Sequence, residues 1–144
     1  MIVQPYICFE GRCEEAIEFY KRAVGAKVEM LLRMNQNPEP QPGCQPPAGC
    51  ENKIMHSQLR IGDTVIMASD GRCQGKAAFQ GMCLSLTVAD DAEAKRVFGA
   101  LGEGGQVDMP LARTFFSSSF GTLKDRFGVT WMVLAQPKEQ PRRN

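Results

Sequence analysis

The chain states one supersecondary pattern twice. In QPYICFEGRCEEAIEFYKRAVGAKVEMLLRM, Pro5, Ile7 and Phe9 alternate with Gln4, Tyr6 and Cys8, which is the period of a strand. Ala16, Phe19, Tyr20, Ala23 and Val24 then recur at helical spacing. Glu14 and Glu15 stand near the helix start, Lys21 and Arg22 near its end, and Gly25 is placed to close it. A strand from about Lys27 to Met34 follows. IMHSQLRIGDTVIMASD supplies two more strands, joined at Gly62–Asp63. The second statement is MCLSLTVADDAEAKRVFGALGEGGQVDM. Leu84, Leu86 and Val88 alternate with Cys83, Ser85 and Thr87. Asp90 and Glu93 form an acidic capping-box pair, and Ala94, Val97, Phe98 and Leu101 make an apolar helical stripe. Gly102, Gly104 and Gly105 stop the helix, and a short strand near Gln106–Met109 follows. FGTLKDRFGVTWMVLAQP adds two strands around an Asp-Arg-Phe-Gly turn.

The order is therefore β-α-β-β-β, twice, in an α+β fold. Repeat one covers about residues 1–70 and repeat two about 80–137, within a single domain. A four-stranded sheet with one helix has only one face covered. The other faces are expected to meet, or to meet another chain, giving a curved mixed-sheet cleft with the helices outside. The stretch NQNPEPQPGCQPPAGCEN, residues 35–52, has no period; it reads as a long loop, either a surface insertion or a lid. The tail 138–144 is expected to fray.

Composition excludes several classes. With 17 basic and 16 acidic residues and a net charge of +1, the chain gives no reason to expect nucleic acid or a membrane surface as partner. No apolar run reaches the roughly 18 residues of a spanning helix. MIVQPYICFEGR lacks the basic and apolar regions of a signal peptide, so the expected address is the cytoplasm. The six cysteines are then expected to stay reduced. There is no CxxC pair, one histidine cannot complete a Cys2His2 site, and Cys44 and Cys50 match no zinc spacing.

The phrases QPYICFEGRCEEAIEFY, IMHSQLRIGDTVIMASD and FGTLKDRFGVTWMV resemble those of the PhnB-like branch of the vicinal oxygen chelate superfamily. Glyoxalase I, bleomycin-resistance proteins and extradiol dioxygenases belong to that superfamily. Members of the branch often carry the label of a demethylubiquinone methyltransferase, yet the chain has no glycine-rich S-adenosylmethionine motif. The resemblance implies a cleft, a homodimer, and four metal slots on the first and last strands of each repeat. Here the slots fall on Gln4, Met67, Cys83 and Met132, with Pro5 replacing Gln4 if the first repeat has no extra residue before its helix. Two thioethers stand where carboxylates are usual. Hard divalent ions want oxygen and anionic ligands; the set is softer and would suit Cu⁺, but methionine on an inward strand is usually apolar lining. No cofactor is therefore expected, although a divalent metal rebuilt by other residues stays open.

His56 is the chain's one histidine. Ser57, Leu59 and Ile61 share one strand face and His56, Gln58 and Arg60 the other, so His56 is expected to face the cleft. It is an ordinary strand residue, a ligand-binding or acid–base group, or a substitute metal ligand. Cys83 is either a nucleophile or a buried inert thiol. Arg113 offers an anion partner, and Phe115 and Phe116 a dimer contact. Asp125 reads as a turn residue and Trp131 as core.

Three functions follow in order. The first is small-molecule binding, without a metal, in a cleft lined by Tyr6, His56, Met67, Cys83 and Met132. The second is a glyoxalase- or dioxygenase-like enzyme holding metal through Gln4, His56 and Cys83. The third is drug sequestration, for which the lining lacks paired carboxylates.

Overall fold

A computed structural model describes residues 1–39 and 46–137. Cys44, part of the proline-rich loop and the 138–144 tail lie outside the described residues. The chain divides into two compact units, which part between Ala77 and Ala78.

The first unit runs β1 (Tyr6–Cys8), α1 (Cys13–Val24), β2 (Lys27–Arg33), β3 (Ile54–Ile61) and β4 (Thr64–Ser69), with a single 3-10 turn at Met34–Gln36. The second runs β5 (Leu84–Val88), α2 (Asp91–Gly102), β6 (Gln106–Ala112), β7 (Phe120–Lys124) and β8 (Thr130–Ala135). Each unit has one mixed four-stranded sheet. The orders are β1-β4-β3-β2 and β5-β8-β7-β6, the same path through each repeat. β1 pairs with β4, and β5 with β8, in parallel; the other pairings are antiparallel. The doubled βαβββ expectation therefore holds.

Both helices bury the faces their spacing marks. α1 buries Ala16, Phe19, Tyr20 and Ala23 as expected, together with Cys13 and Ile17. Val24, counted in the stripe, is only half-buried. Gly25 closes the helix in the left-handed region, at φ 67°, where glycine carries no Cβ penalty. α2 buries Ala94, Val97, Phe98 and Leu101, and Asp90 caps it by accepting from the Glu93 N–H at 2.8 Å. The Glu93 carboxylate turns instead to Arg96. On the sheets, Ile7, Leu59, Ile66 and Ala68 pack inward in the first unit. Leu123, Trp131, Val133 and Ala135 do so in the second.

The edge strands β2 and β6 are irregular at matching places. Their registers shift between Val28 and Met30, and between Val107 and Met109. Such bulges twist an edge away from further pairing. β6 also runs to Ala112, beyond the expected Met109, and passes through Pro110. An edge strand tolerates proline because one side of its ladder has no neighbour to receive the missing N–H.

The expectation that all six cysteines stay reduced fails. Cys50 and Cys73 are joined by a disulfide, their Cα atoms 6.8 Å apart. The cause is local geometry. Asp70 N–H donates to Ile54 O at 2.9 Å, and Ile54 N–H donates to the Asp70 carboxylate at 2.7 Å. The chain just before β3 and just after β4 is thereby held side by side, and each stretch carries one cysteine.

Candidate functional site

Strand alternation gives each sheet one face packed on its helix and one face without it. The helix-free face of the first sheet is built in cross-strand rows. Tyr6 pairs with Met67, Met67 with Gln58, and Gln58 with Met30, so these four residues span all four strands. The neighbouring row brings His56 opposite Leu32. A register shift between Leu32 and Arg33 marks a bulge at Met55. The bulge lets Ile54 and Ser57 both point inward while His56 stays on the open face.

Tyr6 Oη lies 3.2 Å from His56 Nδ1, and the two ring centroids are 5.6 Å apart. With Nδ1 unprotonated, the phenol O–H donates to the ring; with Nδ1 protonated, the phenol oxygen accepts. Either way the contact fixes the ring's orientation. Among the described residues Nε2 has no hydrogen-bond partner, so it is left to a ligand or to water. Gln58 beside the pair adds an amide donor and acceptor, and Met30 and Met67 supply flexible, polarizable thioethers. Arg60 follows on the same face and is paired with Glu29.

The second sheet repeats the row with other chemistry. Ser85 pairs with Met132, Met132 with Thr122, and Thr122 with Met109. Methionines thus recur at matching positions, Met67 with Met132 and Met30 with Met109. This register also fixes which first-repeat position is equivalent to Cys83. Two residues before Tyr6 is Gln4, and two residues before Ser85 is Cys83, so Gln4 rather than Pro5 is the equivalent of Cys83.

Cys83 is exposed, which corrects the expectation of a buried thiol: by strand alternation it stands on the helix-free face with Ser85 and Thr87. Its Sγ lies 3.3 Å from Met132 Sδ. The buried thiol is Cys13. Burial first, then the Asp70 carboxylate, pushes its pKa from 9.0 up to about 12.

The four slots offer one amide oxygen, two thioethers and one thiol. No carboxylate or imidazole is among them, and the described residues hold no group of three or more His, Cys, Asp or Glu that could take an ion. A hard divalent cation would lose its hydration shell for neutral, soft donors, so the residues present do not fit the superfamily's metal.

The remaining candidates sit on the bend after β6. Thr114 Oγ1 accepts from the N–H groups of Phe116 and Ser117, and Ser117 Oγ donates to Ala135 O at 2.8 Å. The bend holds Phe115 out, 95% exposed, edge-on to Phe116, which is in turn edge-on to Phe120. Arg113 is exposed beside it. Asp125 accepts from the N–H groups of Phe127 and Val129 and from Trp131 Nε1, as suits a turn aspartate, and Trp131 is buried.

The sequence does not single out Met30, Thr122 or Met109, and it puts Gln58 on the face with no role of its own. Period-two patterning shows which residues share a face of one strand. It does not show which stand opposite across strands, because registers here depend on bulges. The signal available was the recurrence of a methionine in the edge strand of each repeat.

Residues 2–134 match the family model described as 3-demethylubiquinone-9 3-methyltransferase. The Escherichia coli protein YjdN is 34% identical, over 98% of this chain and 99% of its own. The crystal structure of PA1353 from Pseudomonas aeruginosa is 40% identical with a TM-score of 0.82, covering 96% of this chain and 99% of that one. A PhnB protein from Bacillus cereus is 26% identical with a TM-score of 0.74, covering 94% and 99%.

Proposed function

Because the chain belongs to this family, the PhnB-like branch of the vicinal oxygen chelate superfamily, we propose that it binds a small amphipathic molecule without a divalent metal. The ligand lies on the helix-free face of the first sheet, its apolar part against Met30 and Met67. Its polar end meets His56 Nε2 and Gln58. One observation carries this: the hydrogen bond between Tyr6 Oη and His56 Nδ1 leaves an oriented imidazole edge among thioethers. An oriented polar edge on an apolar surface costs a ligand little reorganisation. The same imidazole is the acid–base group on this face, so any chemistry on the ligand would start there.

The proposal departs from the activity in the family's description, since the sequence has no glycine-rich turn of the kind that binds S-adenosylmethionine. A cationic drug is a poor fit as well. The carboxylate at the edge of this face, Glu29, is already paired with Arg60.

The test is a fluorescence titration with anilinonaphthalene sulfonate, an amphipathic aromatic anion, beside calorimetric titrations with Ni²⁺, Zn²⁺ and Mn²⁺. The expected outcome is saturable probe binding, weakened roughly tenfold by His56→Ala through the loss of one hydrogen bond to a charged group, and no stoichiometric metal uptake. Unchanged binding in the variant rejects the site. Stoichiometric metal that is lost with His56→Ala replaces the proposal with the metalloenzyme reading.

A further inference from the structure

Cys50 and Cys73 stand on two turns that are each fixed by bonds not involving sulfur. Cys73 N–H donates to Asp70 O at 2.8 Å. The next two N–H groups donate to Glu10, Gln74 to its carboxylate at 2.9 Å and Gly75 to its carbonyl at 2.8 Å. These bonds hold Cys73 in the left-handed region, φ 56°, which a non-glycine residue seldom adopts. On the other turn, Cys50 N–H donates to Pro47 O at 3.0 Å and Lys53 N–H donates to Cys50 O at 3.1 Å. The Ile54–Asp70 pair then sets the two turns beside each other. The dithiol is therefore arranged for bonding before the bond exists.

The 47–50 turn has local hydrogen bonds, from Cys50 to Pro47 and from Gly49 N–H to Glu51 Oε1 at 3.3 Å. Its tie to the 70–75 turn is the sulfur bridge. Both cysteines are half-buried, within reach of a small thiol or disulfide.

We propose that Cys50 and Cys73 are a reversible dithiol–disulfide site, oxidised by low-molecular-weight disulfides, that latches the 46–50 turn onto the 70–75 turn. One cysteine thiolate attacks the small disulfide, forming a mixed disulfide and expelling one small thiolate. The second cysteine thiolate attacks the protein sulfur of that mixed disulfide and expels the other. The two protein thiols lose two electrons and two protons, and the small disulfide gains both to become two thiols. Ring closure is fast because the fold holds the second thiol next to the first. The proposal is independent of the ligand-binding reading.

The test uses the whole chain, equilibrated in a series of reduced and oxidised glutathione mixtures. Each sample is quenched in acid, alkylated and mapped by peptide mass, with hydrogen exchange measured on its twin. The Cys50–Cys73 disulfide is expected to go from absent to dominant across the series, with exchange over 46–53 slowing several-fold as it forms. Cys50→Ser and Cys73→Ser should each abolish both changes; should one variant fail to fold, the other and the wild-type map decide. Four results overturn the proposal: full alkylation of both cysteines throughout; a bond that survives excess dithiothreitol in the folded protein, which makes it a permanent brace; pairing of either cysteine with Cys8 or Cys44 instead; or exchange that ignores the bond.

Discussion

Asp70 accepts hydrogen bonds from three backbone N–H groups that are far from it in sequence: Gly11 and Cys13 at 2.9 Å each, and Ile54 at 2.7 Å. It is fully buried and charge-assisted, so it anchors the start of α1 more firmly than a neutral cap would. The residue in the N-cap position, Arg12, makes no side-chain capping bond, and the distant carboxylate takes that role. Cys13 bears the consequence, because the same carboxylate opposes loss of its proton. The thiol is raised from 9.0 to about 12, so above pH 9 the unfolded chain sheds this proton while the folded chain keeps it. Stability is therefore expected to fall between about pH 9 and pH 12, by up to roughly 1.4 kcal/mol per unit from this group. Urea titrations across that range check it: the slope should shrink in Cys13→Ala, and an unchanged slope rejects the assignment.

At the scale of elements, the close approach of β7 to α2 depends on Gly121. A Cβ there would lie 2.7 Å from Phe98 Cε2 and 2.9 Å from Met109 O. Gly121→Ala is expected to cost about 1–3 kcal/mol through overpacking, read as a lower urea midpoint. Retention of the wild-type midpoint would show that Phe98 moves freely. Most element positions were legible because hydrophobic period and end signals agree: the α2 stripe, the Gly25 stop and the Gly62–Asp63 hairpin lie where the sequence places them. The errors fall where a distant residue intervenes. Val24 continues the stripe in sequence but is the last residue of α1 and is only half-buried. β6 is longer than its own residues suggest because β7 offers partners out to Phe120, opposite Ala112.

Across the whole molecule, the two repeats keep one path and exchange chemistry. Tyr6 and Gln58 in the first rows become Ser85 and Thr122 in the second, while the methionines persist. Val28, Met30, Val107 and Met109 on the edge strands, and Phe115 on its bend, are exposed in a single chain. A second copy, as the resemblance implies, would cover such groups. The expected outcome of sedimentation at micromolar concentration is a dimer, and a monomer rejects it. No helix among the described residues is long and apolar enough to cross a membrane. Sequence alone determined the repeat, the two helices, the strand faces and the family, because each rests on local period and on phrases along the chain. Tertiary structure decided the rest: the pairing of Tyr6 with His56, the Asp70 anchor and the Cys50–Cys73 bond. Each depends on which residues a register brings opposite. In this chain bulges and a buried carboxylate set the registers, and neither leaves a periodic trace.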